Sequence, residues 1–152
     1  MNNYDVIVVG AGHAGIEAAM AAAKMGANTL IFVIKIESIG RMSCNPSVGG
    51  PAKGHLAREL DALGGQIGKA ADSTGIQFRM LNRKKGPAVW APRCQNDRTQ
   101  YSIFMHHVLE EQSNLEIKES IIDELLLSSD KKSVIGVKSK LGESCFAPKV
   151  IL

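Results

Sequence analysis

Cys44 is the residue whose type and surroundings best suit it to chemistry. It lies in a polar, glycine-rich stretch, residues 41–50, whose turn-forming residues argue against a helix. A thiolate is a strong nucleophile, and a positive group nearby favours this form. We therefore predict that Cys44 is catalytic. The alternative interpretation is a structural cysteine in a loop.

The other cysteines, Cys94 and Cys145, are expected to be structural, at the start of a helix and in a short strand. The three cysteines are widely spaced and form no C-x-x-C pair. This pattern is typical of free thiols in a reducing compartment rather than of a disulfide framework or a zinc site. It predicts a cytoplasmic protein, and no other grouping of residues indicates a metal site.

A glycine-rich loop lies between an apolar run, residues 4–9, and an alanine-rich helix predicted for residues 16–24. Strand, G-x-G-x-x-G and helix in this order predict a dinucleotide site, with the pyrophosphate at the helix N-terminus. The glycines permit, in turn, a tight turn, a close approach of backbone to phosphate, and close packing of helix on strand. The predicted cofactor-binding residues here are Gly10, Ala11, Gly12, His13, Ala14 and Gly15. His13 is expected to shape the loop rather than to act as a base.

Two further polar features leave alternatives open. Many dinucleotide folds place an acid about 20 residues past the last glycine to bind the ribose. The first acid here is Glu37, which is either that ligand or an exposed loop carboxylate. A group of basic residues around the turn at residues 86–87 is either a solvated surface or a contact for nucleic-acid phosphates. This group includes Arg79, Arg83, Lys84, Lys85, Arg93 and Arg98.

The elements that must position these residues follow from periodicity. Apolar runs predict parallel strands at residues 4–9, 28–34, 115–118 and 149–152, and an antiparallel meander at 121–127, 133–139 and 144–146. Helices are predicted at residues 53–63 and 93–112, and a strand at 75–82 with Ile76, Phe78 and Met80 on one face. The predicted fold class is α/β: a Rossmann-like parallel sheet with an antiparallel β-meander crossover and an inserted segment of loops and helices.

Length and composition agree with one domain or part of a larger one. The chain has 152 residues, 45% of them hydrophobic, and a net charge of +3, which by itself does not indicate a nucleic-acid partner. No apolar stretch is long enough for a membrane span, and because the glycine loop begins at residue 10 we expect no leader segment before it. We expect three parts, 1–39, 40–112 and 113–152. Since the last predicted strand is cut short, the chain is expected to be a fragment.

Distinctive stretches run along the whole chain, from Tyr4 to Leu152. They are residues 10–19, 42–47, 53–56, 61–65, 75–79 and 85–89, with Gln95, Asp97, Arg98 and Tyr101. Together they resemble the GidA/MnmG family, FAD-dependent enzymes that modify the wobble uridine of tRNA. Two places differ from the family pattern. Pro51-Ala52 stands where an apolar residue and glycine are usual, and Trp90 where a basic or small residue is expected.

The resemblance implies an FAD-binding domain of an enzyme that installs a (carboxymethyl)aminomethyl group at C5 of the wobble uridine. For the full-length enzyme it implies NAD(P)H, a folate one-carbon donor, tRNA, an MnmE-type GTPase partner and a homodimer. The 152 residues alone are expected to be inactive. The alternatives are a non-catalytic cofactor-binding module and another FAD-dependent oxidoreductase, the latter disfavoured by residues 43–46.

The resemblance also implies roles for individual residues. Cys44 would attack C6 of the uridine or handle the one-carbon intermediate, and the backbone of Ile122 would contact adenine. A turn near the flavin would contribute Asn45, Ser47, Gly49 and Gly50, and the basic group around residues 86–87 would contact tRNA phosphates.

Overall fold

The structure, a computed structural model, describes residues 4–152 and contains helices, strands and short 3₁₀ turns. The α-helices are α1 (His13–Lys24), α2 (Lys53–Ala62), α3 (Ile67–Thr74) and α4 (Arg98–Glu110). The strands are β1 (Val6–Val9), β2 (Thr29–Val33), β3 (Ser47–Gly49), β4 (Gly75–Leu81), β5 (Ala91–Asn96), β6 (Leu115–Glu119), β7 (Ile122–Leu127), β8 (Val134–Ser139), β9 (Ser144–Phe146) and β10 (Lys149–Ile151).

The chain forms two compact units. One, the sheet unit, combines the residues up to Gly40 with His106–Leu152, and the other, the inserted unit, is Arg41–Met105. The boundary between them falls inside α4.

The sheet unit is built on four parallel strands in the order β10-β1-β2-β6. Every residue of β2 is buried, because its neighbours cover both edges and both faces of the sheet are packed. Ile7 and Leu30 form a core with Val137 of β8 and Ala147 after β9. Successive strand side chains point to opposite faces of the sheet, so β1 and β2 present apolar side chains on both faces. Helix α1 packs on these strands and buries Ile16, among others.

The inserted unit contains an antiparallel sheet in the order β3-β5-β4, with α2 and α3 packed against its strands. Its buried residues include the small side chains of Ala70, Ala71 and Ala91 and the large ones of Tyr101 and Met105. This unit is therefore more than the loops and helices expected for the insertion.

The predicted fold class is confirmed, and so are the parallel strands and the meander of β7, β8 and β9. The predicted helix over residues 93–112 is wrong in its first part, because residues 91–96 form β5 and α4 begins only at Arg98. Cys94 therefore lies within a strand rather than at a helix start. Pro92 argues against a strand at the sequence level, since proline is unfavourable inside a sheet. It is tolerated opposite Met80, beyond the last β3 pair, Gly49 with Arg93.

Candidate functional site

The glycine loop joins β1 to α1 through a tight turn. Gly10 has a φ of 106°, and its N–H donates to the carbonyl of Phe32 on β2 at 2.8 Å. A Cβ built on Gly15 would lie 1.8 Å from the Gly10 carbonyl oxygen, so only glycine allows the helix to approach the strand this closely. The loop thus has the geometry that its glycine spacing predicts.

The N-terminus of α1 faces open space. A Cβ on Gly12 would meet no atom within 4 Å, and among the described residues no side chain caps this helix end. A cavity of about 330 Å³ adjoins the loop and is lined in part by Gly12, His13 and Ile151. The first N–H groups of a helix lack carbonyl partners within it and attract anions, so these residues fit the pyrophosphate of a dinucleotide.

His13 is the titratable group of this loop. Burial lowers the pKa of His13 from its usual value, and the nearby Glu17 carboxylate partly opposes this shift. The imidazole is therefore neutral near pH 7 and adds no positive charge beside the cavity.

Two further residues predicted to contact the cofactor, Ile122 and Glu37, lie in the sheet unit. Ile122 opens β7 and packs against the core of the sheet unit, so its predicted contact with adenine stays a prediction. Glu37 lies in the exposed 3₁₀ turn Ile36–Ser38, after the end of β2.

In the inserted unit, Cys44 is exposed on the loop that leads into β3. Two hydrogen bonds hold this loop: Arg98 Nη2 donates to the Cys44 carbonyl at 3.0 Å, and Asn96 N–H donates to the Pro46 carbonyl at 2.7 Å. The Cys44 thiol is thus accessible while its backbone is anchored.

The residues predicted to contact the flavin follow Cys44 directly. The N–H of Ser47 donates to the Asn45 carbonyl, and that of Gly50 to the Pro92 carbonyl, both at 2.8 Å. A Cβ on Gly49 would lie 2.1 Å from the Pro92 oxygen, so close packing on β5 is enough to require this glycine. Two of the expected backbone donors are therefore engaged within the chain, and the role of these residues in cofactor binding stays a prediction.

Basic side chains converge on a cavity of about 440 Å³ in the inserted unit. Arg79 and Arg93 stand directly opposite each other on β4 and β5, which places two like charges on one face of the sheet. Both line the cavity, and among the described residues neither forms a salt bridge. Lys84 and Lys85 lie in the following 3₁₀ turn and do not line it.

The sequence analysis missed other residues that line this cavity. They include Arg58, the aspartates Asp61 and Asp72, and the exposed ring of Phe78, whereas Arg83, which also lines the cavity, belongs to the predicted basic group. The four arginines outnumber the two aspartates, so the lining has a positive balance. No sequence pattern predicts that Arg58 lines the cavity, because its position depends on how α2 packs on the sheet.

The two other thiols are poorly suited to nucleophilic attack. Burial raises the pKa of Cys94, the Asp72 charge raises it further, and a hydrogen bond with Asn96 partly offsets this. Burial also raises the pKa of Cys145, against the opposing charge of Lys118. Of the three thiols, Cys44 alone is exposed.

Residues 4–152 contain neither a metal-ligand cluster nor a helix that could span a membrane. No group of three or more histidine, cysteine, aspartate or glutamate side chains in this range could hold a metal ion. None of the helices described there has the length and apolar character needed to cross a membrane.

The family model described as "Glucose inhibited division protein A" matches residues 5–152. The chain belongs to this family. The GidA relatives include the tRNA uridine 5-carboxymethylaminomethyl modification enzyme MnmG of Protochlamydia amoebophila, which is 54% identical over 149 residues. This match covers 98% of the chain and 24% of the relative. The enzyme of the same name from Aquifex aeolicus is 52% identical over 142 residues, which are 93% of the chain and 23% of the relative. The chain therefore spans about a quarter of the length of the relatives it matches.

Solved structures agree with this assignment. The Aquifex aeolicus GidA structure in the form II crystal matches with a TM-score of 0.92 and 51% identity, over 97% of this chain and 24% of that chain. PqsL, a probable FAD-dependent monooxygenase from Pseudomonas aeruginosa, matches with a TM-score of 0.69 but 13% identity, over 98% of this chain and 42% of that one. At this lower identity the likeness shows the fold alone.

Proposed function

We propose that this chain is the FAD-binding part of a GidA-type flavoenzyme that modifies C5 of the wobble uridine in tRNA. The observation that carries the proposal is the β1–loop–α1 geometry, in which Gly15 packs against Gly10 and the open helix end adjoins a cavity. Membership of the GidA family supports the choice of this enzyme among those that use such a geometry.

The loop residues bind the cofactor through their backbone. The N–H groups at the start of α1 and the positive end of the helix dipole hold the pyrophosphate, while Gly12 leaves room for it. Bound FAD supplies two-electron redox chemistry. The neutral His13 ring borders this site and shapes it without adding charge.

Cys44 supplies the nucleophile. Its sulfur adds to C6 of the uridine as thiolate, so the electron pair moves to C5, which then attacks a one-carbon electrophile. Loss of the C5 proton restores the double bond and expels the thiolate. The exposure of Cys44 and the anchoring of its backbone support this role.

The paired arginines support a tRNA substrate. Two like charges opposite each other in a sheet are unfavourable unless an anion lies between them, and phosphates are such anions. Arg79 and Arg93 therefore contact the RNA backbone, with Lys84 and Lys85 adding to the positive surface.

The remaining elements of the proposal concern the full-length protein. They are NAD(P)H and a folate one-carbon donor as co-substrates, an MnmE-type GTPase as partner, a homodimer, and a cytoplasmic location that matches a tRNA substrate. The division of the chain into residues 1–39, 40–112 and 113–152 likewise stays a proposal.

The test is Cys44→Ser in the full-length protein that carries these residues, with Cys145→Ser as the matched control. We expect Cys44→Ser to abolish wobble-uridine modification, measured by mass spectrometry of tRNA nucleosides, while the flavin absorbance stays unchanged. Cys145→Ser should keep both. Normal modification by Cys44→Ser would contradict the catalytic role, and a joint loss of flavin and activity would indicate a structural one.

A further inference from the structure

Arg98 connects the Cys44 loop to the junction between β5 and α4. Its guanidinium donates to the Cys44 carbonyl at 3.0 Å, and two residues earlier the Asn96 N–H donates to the Pro46 carbonyl at 2.7 Å. The loop is thus bonded on either side of Asn45 to a short segment more than 50 residues further along, since Cys44 and Arg98 are 54 positions apart.

This segment is a firm anchor. The Asp97 side chain accepts hydrogen bonds from the N–H groups of Thr99 and Gln100, both at 2.9 Å, and so caps the start of α4. The Asp97 N–H in turn donates to the carbonyl of Thr74, the last residue of α3, at 2.9 Å. The backbone from which the Arg98 side chain extends is therefore fixed by two helices.

The position of Arg98 is unfavourable for the helix itself. Arg98 is the first residue of α4, where the helix dipole disfavours a positive charge. Among the described residues Arg98 forms no salt bridge that would offset this. The hydrogen bond from the Arg98 side chain to the Cys44 carbonyl gives a reason for an arginine at a position where it weakens α4.

We propose that Arg98 is a positioning residue that holds the Cys44 backbone so that the thiol points at its target. This inference rests on the proposed nucleophilic role of Cys44. It differs from a contact between Arg98 and tRNA phosphate, because the guanidinium acts through a backbone carbonyl of its own chain.

Hydrogen–deuterium exchange tests the anchoring without any assay of activity. In Arg98→Ala we expect the amides of Ser47 and Asn96, which are hydrogen-bonded at this loop, to exchange about 10-fold faster, in the range of a lost charge-assisted hydrogen bond. The melting temperature should fall only slightly, because removing a positive charge from the helix N-terminus offsets part of the lost hydrogen bond. Arg98→Lys should restore much of the protection. Arg58→Ala, the matched control on α2, should exchange like the wild type. Equal exchange in Arg98→Ala and the wild type would overturn the proposal.

Kinetics of the full-length protein separate positioning from RNA binding. Positioning predicts that Arg98→Ala lowers kcat for uridine modification about 10-fold or more with little change in KM for tRNA. A higher KM with unchanged kcat would instead identify a phosphate contact and contradict positioning. If Cys44→Ser retains activity, the proposed function fails, but the exchange experiment still decides whether Arg98 holds the loop.

Discussion

At the scale of single residues, Ala52 has a backbone conformation that glycine adopts far more readily. Its φ is 61° and its ψ is −43°, and the N–H of Lys53 donates to the Pro51 carbonyl at 2.7 Å. These values describe a γ-turn with positive φ, which is rare and strained for a residue with a Cβ. This is one of the two places where the sequence departs from the pattern expected for GidA, and the strain is a physical reason to expect glycine there.

Ala52→Gly should therefore stabilise the protein. Relief of strain is worth ~1–2 kcal/mol, and the greater freedom of glycine in the unfolded chain takes back ~0.4–1 kcal/mol. We expect a net gain of about 0.5–1 kcal/mol in the free energy of unfolding, measured by urea denaturation. The matched control is Ala57→Gly inside α2, which should lose ~1 kcal/mol. A loss in Ala52→Gly similar to that of the control would show that Ala52 is not strained.

His13 should make stability depend on pH. Because burial lowers its pKa in the folded state, the unfolded state binds the proton more readily. The free energy of unfolding should rise as the pH increases and should level off once the pH exceeds the ordinary histidine pKa of about 6.5. His13→Gln should reduce this slope, whereas Glu17→Gln should steepen it, since the Glu17 charge opposes the shift. An unchanged slope in His13→Gln, from denaturation curves between about pH 5 and 7, would refute the assignment.

At the scale of elements, the glycine loop separates packing from binding. A methyl group on Gly15 collides with the Gly10 carbonyl at 1.8 Å, whereas one on Gly12 meets no atom within 4 Å. Gly15→Ala should lower the free energy of unfolding by ~1–3 kcal/mol, as overpacking does. Gly12→Ala should change it by less than ~1 kcal/mol, because reduced chain entropy and poorer capping oppose each other.

The same pair of variants should differ in cofactor affinity. In Gly12→Ala the methyl group of the alanine occupies the space into which a pyrophosphate would fit. This variant should therefore bind FAD more weakly although it remains folded. Thermal melts and flavin fluorescence titration of the two full-length variants measure this. Wild-type FAD affinity in Gly12→Ala would show that the pyrophosphate does not approach this residue.

The elements also show how far sequence reasoning extends. The strand–loop–helix start and the meander were predictable because each shows a clear local pattern: a buried apolar run, fixed glycine spacing, or alternation between turns. Strand β5 was not predictable, because Pro92 is unfavourable in a sheet and the apolar residues from Tyr101 onwards favour a helix that begins before Arg98. The bond between Arg98 and Cys44 links residues 54 positions apart, and no local pattern reports such a contact.

At the scale of the whole molecule, one chain supplies two different kinds of candidate site. The sheet unit carries the glycine loop, and the inserted unit carries Cys44 and the paired arginines. The GidA relatives are about four times longer, since the chain covers 24% of the Protochlamydia amoebophila enzyme. Activity, packing and loop exchange are therefore all measured in the full-length protein.

We expect the glycine loop to hold FAD, so the quantity to measure is the cofactor content of the full-length protein. The purified protein is denatured by heat, and the released flavin is identified by chromatography and quantified by absorbance. We predict about one FAD per chain, from one glycine loop per chain. A flavin content far below this ratio, even after reconstitution with excess FAD, would show that the glycine loop does not hold FAD.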